Sequence, residues 1–470
     1  MKIIPIVQVP IKEMEMALFE DRKNIYIRSQ KGWFSSWRWA LVFLTQILFY
    51  GAAWLNWHDR QAVLFDLVTR KFYIFGLILW PQDFIYLAVL LVISALSLFL
   101  FTAIAGRLFC GYACPQTVYT EIFMWIEKKV EGERNARIKL DESPMSFHKF
   151  NLKFIKHSLW LSLALWTGFT FVGYFTPIHT LAEEVLAFSL GPWETFWLLF
   201  YGFATYGNAG FMREQVCKYM CPYARFQSAM FDKDTLIVTY DAERGEPRGS
   251  RNKKVDFKAQ GLGACVDCDI CVQVCPTGID IRNGLQYECI ACGACIDGCD
   301  QVMDKMGYER GLIRYTTEHA LDQKLDKKSM WRRVFRLRTL IYGAILGLII
   351  LAAAISLAYH VPLKVDVIRD RSMPKITENG AIENVYRLQI MNTQEVAHTY
   401  QISVKGIAGA VIVNRPIVDV KSASAVAFPV RVRIPVGAAE TGSNRIRFVI
   451  NDVSVPKITV TEKAVFLVPK

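Results

Sequence analysis

The chain has 470 residues, 53% of them hydrophobic and only 21% charged, with a formal charge of +12. Its apolar residues fall in long runs separated by basic stretches, which excludes a soluble protein built on amphipathic periods. Nucleic-acid binding is excluded on the same ground: Lys and Arg cluster beside apolar segments, as on the cytoplasmic side of a membrane protein, and do not interleave with aromatics.

The first 38 residues are polar and charged, without a signal-peptide pattern. Five segments then reach the roughly 17–25 apolar residues needed to span a bilayer. They lie at about 39–56, 84–105, 158–175, 193–211 and 339–359, the fourth interrupted by Glu194 and several Gly residues. The shorter apolar piece FYIFGLILWP, 72–81, reads as a re-entrant or interfacial segment before the second span.

Where the second apolar run ends, GRLFCGYACPQ (106–116) introduces Cys110 and Cys114, and CKYMCP (217–222) repeats the pattern with Cys217 and Cys221. If each helix continues to its proline, the i, i+4 thiols share one face, about 5–6 Å apart between Cβ atoms. Pro115 and Pro222 suit the first position of a following helix. The two stretches read as an internal repeat, each leading into a helix that carries Gln116 or Gln227. Two pairs of thiolates suit a soft centre: Cu(I), zinc or a third Fe–S cluster. The plain alternative is inert packing cysteines.

The strongest signal lies at 265–299. Cys265, Cys268, Cys271 and Cys275 form one C-x₂-C-x₂-C-x₃-C set, and Cys289, Cys292, Cys295 and Cys299 form a second. This is the bacterial ferredoxin spacing, in which the fourth cysteine of each set ligates the other cluster. One 4Fe–4S cluster is therefore expected on Cys265, Cys268, Cys271 and Cys299, and another on Cys289, Cys292, Cys295 and Cys275. Zinc sites use paired C-x₂-C elements at longer separations. The second set ends in Cys299-Asp300, where the ferredoxin pattern has proline.

Weaker candidates are His58 and His179 for haem or quinol, and Glu183, Glu184 and Glu194 for proton relay. The basic stretch KKSMWRRVFRLR, 327–338, reads as a lipid-facing anchor. From 361 onward short β-branched runs alternate with Gly, Pro and Asn turns, the rhythm of an antiparallel immunoglobulin-like sandwich, here without Trp or Cys.

Loop charges set the orientation. Lys and Arg number seven in the N-terminal segment, nine in 106–157 and 21 in 212–338, against three in 57–83 and none in 176–192. The positive-inside rule puts the first three in the cytoplasm and the C-terminal tail outside. All twelve cysteines then lie on the reducing side, where metal ligation is expected and disulfides are not. The expected fold is a multi-domain integral membrane protein: a cytoplasmic segment 1–38, a four-span α-helical membrane domain 39–230, and a two-cluster ferredoxin-like α+β domain 231–338. A fifth transmembrane helix 339–360 and an all-β sandwich 361–470 complete it.

Taken together, GRLFCGYACPQTVYTE, CKYMCPYARFQ, CPTGIDIRNGLQYECIACGACIDGCDQVMDKMG and GLIRY, followed by the last span and β-rich tail, resemble the CcoG/FixG family of cytochrome c oxidase accessory proteins. The resemblance covers nearly the whole chain, and the Cys299-Asp300 step fits it. It implies an inner-membrane cupric reductase that supplies Cu(I) during assembly of cbb3-type oxidase. Cys110, Cys114, Cys217 and Cys221 would bind copper, and the eight ferredoxin-type cysteines would feed electrons to them. Partners would be oxidase assembly factors or copper chaperones and an electron donor, quinol or a cytoplasmic reductant; a homodimer is compatible with this. Two other classes stand beside it: a quinol-oxidising membrane ferredoxin subunit, and a non-enzymatic assembly scaffold.

Overall fold

The computed structural model describes residues 24–253, 259–370, 374–378 and 380–469. Residues 1–23 of the expected cytoplasmic segment lie outside these. The chain forms two compact units, each assembled from separated stretches. The first takes the residues up to Gln46, Leu98–Thr167 and Leu199–Leu340; the second takes Ile47–Ser97, Gly168–Leu198 and Ile341–Lys470.

Seven helices carry most of the architecture: α1 Trp33–Ala52, α2 Phe84–Ala105, α3 Pro115–Glu131, α4 Phe147–Val172, α5 Pro192–Thr205, α6 Ala294–Met306 and α7 Leu337–Ala358. Among the described residues two helical segments are long and apolar enough to cross a membrane, Pro81–Ala105 and Leu337–Ala358, with mean hydropathy 2.7 and 2.5. Their most apolar windows are 0% and 6% buried, so neither is the core helix of a soluble fold. Sequence led us to expect five. Arg38 and Gln46 make α1 more polar, and Lys153 and Lys156 do the same to α4. The fourth expected span is α-helical for only 14 residues before π-helical turns take over at Tyr206–Met212.

In the first unit, β4 (Ile237–Tyr240) pairs antiparallel with β5 (Ile313–Thr316). The two strands bracket both ferredoxin-type cysteine sets and α6, over a core containing Val238, Tyr240, Met303 and Leu312. A buried ionic network ties α3 to its neighbours. Glu127 meets Arg137 at 2.8 Å and Arg213 at 3.2 Å, and Glu131 meets Lys156 at 2.8 Å. Burial alone raises the Glu127 carboxyl, but Arg213, Arg137 and Lys156 outweigh it and the net shift is downward.

In the second unit the segment 72–81 is not re-entrant. It belongs to a three-stranded antiparallel sheet of β1 (Val63–Asp66), β2 (Lys71–Ile74) and β3 (Leu77–Leu79). Aromatic and β-branched residues favour the pleated sheet, and Phe75-Gly76 makes the reversal, with Phe75 at φ 51°.

The C-terminal sandwich has β6 (Leu363–Arg369), β7 (Ile382–Asn392), β8 (His398–Lys405), β9 (Ile417–Val420), β10 (Ala425–Ile434), β11 (Gly442–Asp452) and β12 (Thr459–Val468). One sheet runs β10-β7-β6, flanked by the short strands Val411–Ile412 and Lys375–Ile376; the other runs β9-β8-β11-β12. Alternate residues face inward, so Tyr386, Leu388, Ile390, Val430, Val432, Phe448 and Phe466 are wholly buried between the sheets.

Candidate metal centre

The two C-x₂-C-x₂-C loops share one backbone path. In the first, Asp267 and Asp269 have φ of 51° and 55°; in the second, the corresponding Ala291 and Gly293 have 51° and 73°. Left-handed residues without the glycine excuse cost about 1–3 kcal/mol each and persist where surroundings enforce them. Here they curl each loop so that its three cysteines face one small cavity.

The cavities separate the cysteines across the two sets. One is lined by Cys265, Cys268, Cys271 and Cys299, with Ile270 and Leu312 among its walls. The other is lined by Cys275, Cys289, Cys292 and Cys295, with Cys271 also at its edge. This crossed arrangement fits a pair of 4Fe–4S clusters. Among the described residues no three His, Cys, Asp or Glu side chains lie close enough to hold a single metal ion. Thiolates spread around a cubane need not close to that distance.

Different neighbours clamp the two loops. Arg282, almost fully buried, reaches Asp267, Asp269 and Asp280, each at 2.7 Å. Its hydrogen bonds hold the Asp280 carboxyl below its usual range. Both left-handed aspartates of the first loop are thus tied to one guanidinium. The second loop has no such carboxylates. Tyr315 donates its hydroxyl to the Ala291 carbonyl. Gly111 presses on the loop so closely that a Cβ there would stand 2.6 Å from the Ile290 carbonyl and 2.9 Å from the Cys292 Cα. Arg107 bonds the carbonyls of Tyr287 and Ala224.

Gly111 lies inside the first C-x-Y-x-C-P stretch, so Cys110 is brought beside the second loop, where it packs against the cluster of Val274, Ile290, Cys292 and Ala294. The two repeats have the same local shape, but not the continuous helix expected. Cys110 sits in a short helical turn, Leu108–Tyr112, and Cys217 in a π-helical turn, Val216–Met220. Cys114 and Cys221 are extended and precede a helix starting at proline. Each donates its backbone N–H five residues back, Cys114 to Phe109 at 3.0 Å and Cys221 to Val216 at 2.8 Å. The helical path therefore ends before the second thiol, and the pair does not share one helix face.

The repeats grip one another. Gln116 donates to the Asn208 carbonyl at 2.9 Å and to that of Arg213 at 3.1 Å, while the Gln227 side chain accepts from the Cys110 thiol at 3.5 Å. Burial pushes Cys110 up to about 12, with Cys114 adding to the rise. Cys217 rises to about 11, again from burial and then from Cys114 and Cys221. These mutual effects put the thiols within electrostatic reach of one another, while no three of them are close enough to hold a single ion. His58 and His179 lie elsewhere: His58 faces Glu395 at 3.3 Å, and His179 meets the Trp54 ring edge-on.

Known protein families share this arrangement of cysteines and domains. Residues 212–318 match a family described as 4Fe-4S dicluster domain, 87–132 one described as 4Fe-4S binding domain, and 353–469 one described as IG-like fold at C-terminal of FixG. Nitrogen fixation protein FixG of Rhizobium meliloti (strain 1021) is 38% identical over 84% of this chain and 81% of its own length. The chain belongs to the CcoG/FixG family. Among relatives, protein RdxA of Cereibacter sphaeroides is 38% identical over 92% of this chain and 90% of its own. RdxB of the same organism is 41% identical over 83% of each. CcoG/FixG membership and the dicluster match make this an iron–sulfur protein of electron transfer.

Several residues that build the site escaped the sequence reading. Gly111, Arg107, Arg282 and Asp297 stand inside or beside the cysteine motifs. Arg38 carried a visible signal, an ionisable residue in an apolar helix; it is buried and ion-paired with Glu121. The Asp297 carboxylate accepts from the backbone N–H groups of Phe34 at 3.2 Å and Ser35 at 2.8 Å, capping α1 from a distant segment.

Proposed function

We propose that this chain is a membrane-bound electron-transfer protein that reduces Cu(II) to Cu(I) for assembly of a cbb3-type cytochrome c oxidase. The N-terminus and both cysteine loops lie on the cytoplasmic side and the sandwich is exported, in line with the distribution of Lys and Arg. Cys265, Cys268, Cys271 and Cys299 hold one 4Fe–4S cluster; Cys289, Cys292, Cys295 and Cys275 hold the other. When bound, these clusters supply single electrons. The observation that carries the reading is the seating of Gly111 on the Ile290–Cys292 backbone, which sets Cys110 beside the second loop.

The chain's own residues then handle the metal. Cys110, Cys114, Cys217 and Cys221 offer soft ligands that favour Cu(I), the product, over Cu(II), the substrate. Their buried thiols release protons as copper binds. Gln227 and Thr117 hold Cys110 in place through its thiol and carbonyl. Oxidase assembly factors or copper chaperones would collect the ion.

The test uses anaerobic, dithionite-reduced protein given Cu(II), with a Cu(I)-specific chelator as reporter. Rapid Cu(I) formation, lost in a variant with all four membrane-edge thiols changed to Ser but with its cluster absorbance intact, supports the reading. Equal Cu(I) formation in both proteins overturns it. The 4Fe-4S match over 87–132, which contains Cys110 and Cys114, favours a second reading: a third cluster at the four thiols. Iron analysis separates them, about eight irons per chain for two clusters and about twelve for three.

A further inference from the structure

A cavity of about 430 Å³ lies in the first unit and is used by none of the roles above. That volume is in the range of small-molecule sites. Its walls include Val274, Pro276 and Ala294, which flank Cys275 and Cys295 of the second cysteine set. Trp39, Met124 and Trp125 add apolar surface, the two indoles 6.4 Å apart. The buried Arg38–Glu121 ion pair completes the inner wall.

That ion pair belongs to two cavities. Arg38, Glu121, Met124 and Pro276 also line a smaller cavity, and Cys217 stands in that one. The large cavity and the one holding Cys217 thus share this salt bridge in their walls, both beside the second cluster loop.

We infer that the large cavity binds a quinol, the electron donor for the activity proposed above, on which this inference rests. Charge excludes a metal cation as occupant: Arg28, Lys31, Arg38, Lys128 and Arg137 outnumber Glu121 and Glu133 in the lining. Of these cations Arg38 is held by Glu121, Arg137 by Glu127 and Lys128 by Glu133, which leaves Arg28 and Lys31 at the outer part of the lining for solvent or a ligand's polar end. The α1 N-terminus is already capped by Asp297. What remains is a slot with aromatic walls and a hydrogen-bonding end, suited to a neutral ring with hydroxyls. The start of α1 lines it, and Trp33, Trp37, Phe43, Leu44, Ile47 and Leu48 of that helix are exposed. An exposed face of this kind, aromatic at its end, is what a lipid-dissolved ligand meets at a membrane surface.

Oxidation of one quinol to its quinone releases two electrons and two protons. The electrons match two one-electron 4Fe–4S acceptors. One hydroxyl donates its hydrogen bond to Glu121, and both protons leave to water at the rim beside Glu133.

The probes are a photoreactive azidoquinone for binding and decylubiquinol as reductant. In anaerobic wild-type protein the label maps to 27–39 or 121–128, and decylubiquinol competes for it and bleaches the cluster absorbance saturably. Filling the slot with Ser36→Phe cuts labelling about tenfold or more, which is at least about 1.4 kcal/mol of binding. Trp125→Ala, at a partly exposed position, weakens labelling in the same direction. Cluster absorbance reports the folding of both variants. Label that maps elsewhere, labelling unchanged in Ser36→Phe, or saturable reduction by NADH in place of decylubiquinol overturns the assignment. Copper reduction by dithionite-reduced wild-type protein is scored separately. If it fails while labelling and quinol reduction hold, the copper reading falls and the quinol site stands.

Discussion

The two cysteine loops have one backbone shape and two different supports. Left-handed residues stand at the same two positions of each, yet the first loop is clamped by a single guanidinium, Arg282, through carboxylates that remain largely exposed. The second is clamped by Gly111, Arg107 and Tyr315, from the first C-x-Y-x-C-P stretch and from β5. Cys268 of the first loop is exposed, whereas Cys292 of the second is buried. The C-x₂-C-x₂-C spacing sets the curl of a loop; what lies outside it sets which loop reports to which part of the protein. On this basis the first loop is a self-contained module, and the second is an interface.

The comparison breaks most sharply at Gly111. Gly111→Val places side-chain atoms against backbone that cannot retreat. The expected outcome is selective loss of the second cluster, iron falling from about eight to about four per chain, while the signal of the first persists. Loss of both together would contradict separate supports. Arg282→Ala is the converse. It frees Asp267 and Asp269, and the first cluster should be lost about tenfold faster to a chelator, with the second unchanged.

Tyr315→Phe sharpens the picture with one atom. Losing the hydroxyl that bonds Ala291 removes about 1 kcal/mol, so the second cluster should leave about fivefold faster, read by the same chelator assay.

The smallest effect on cluster retention is expected from Glu127→Gln, outside both loops. The folded-state Glu127 carboxyl is depressed, so its contribution to stability is present above the unfolded value of 4.5 and is lost as pH falls through the lower folded value. Thermal unfolding from pH 7 to pH 3 should show the variant less stable at neutral pH and converging on wild type in acid. A constant gap across that range would remove the carboxylate from the account.

Much of the metal site was legible in the cysteines alone. Spacing named eight ligand candidates, and the repeated C-x-Y-x-C-P singled out four more, whose two stretches are joined through Gln116 and Gln227. The shape of those repeats was not legible: a helix to the proline is the default, and the break into an i→i−5 turn depends on tertiary contacts such as Gln116 to the Asn208 carbonyl. The strand pairing of 71–79 was masked by its apolarity, which suits a membrane segment and a buried sheet equally. The alternation of the C-terminal strands was plain, because a two-faced sheet writes its period into the sequence. Arg282 and Gly111 were invisible for a simpler reason: each acts on residues far away in the chain or on the far side of a loop.

The cap that Asp297 places on α1 governs how the protein is made. Helix α1 begins at Trp33, but the carboxylate that caps its leading N–H groups belongs to Asp297, inside the second cysteine set. A ribosome delivers residue 33 long before residue 297. Throughout that interval the start of the helix lacks its counter-charge, which arrives only when the loop beside Cys295 and Cys299 has folded. Biogenesis therefore has a built-in order at this contact: α1 gains its cap only after the second cysteine loop has folded, and a chain whose cofactor loop never closes leaves those N–H groups without Asp297.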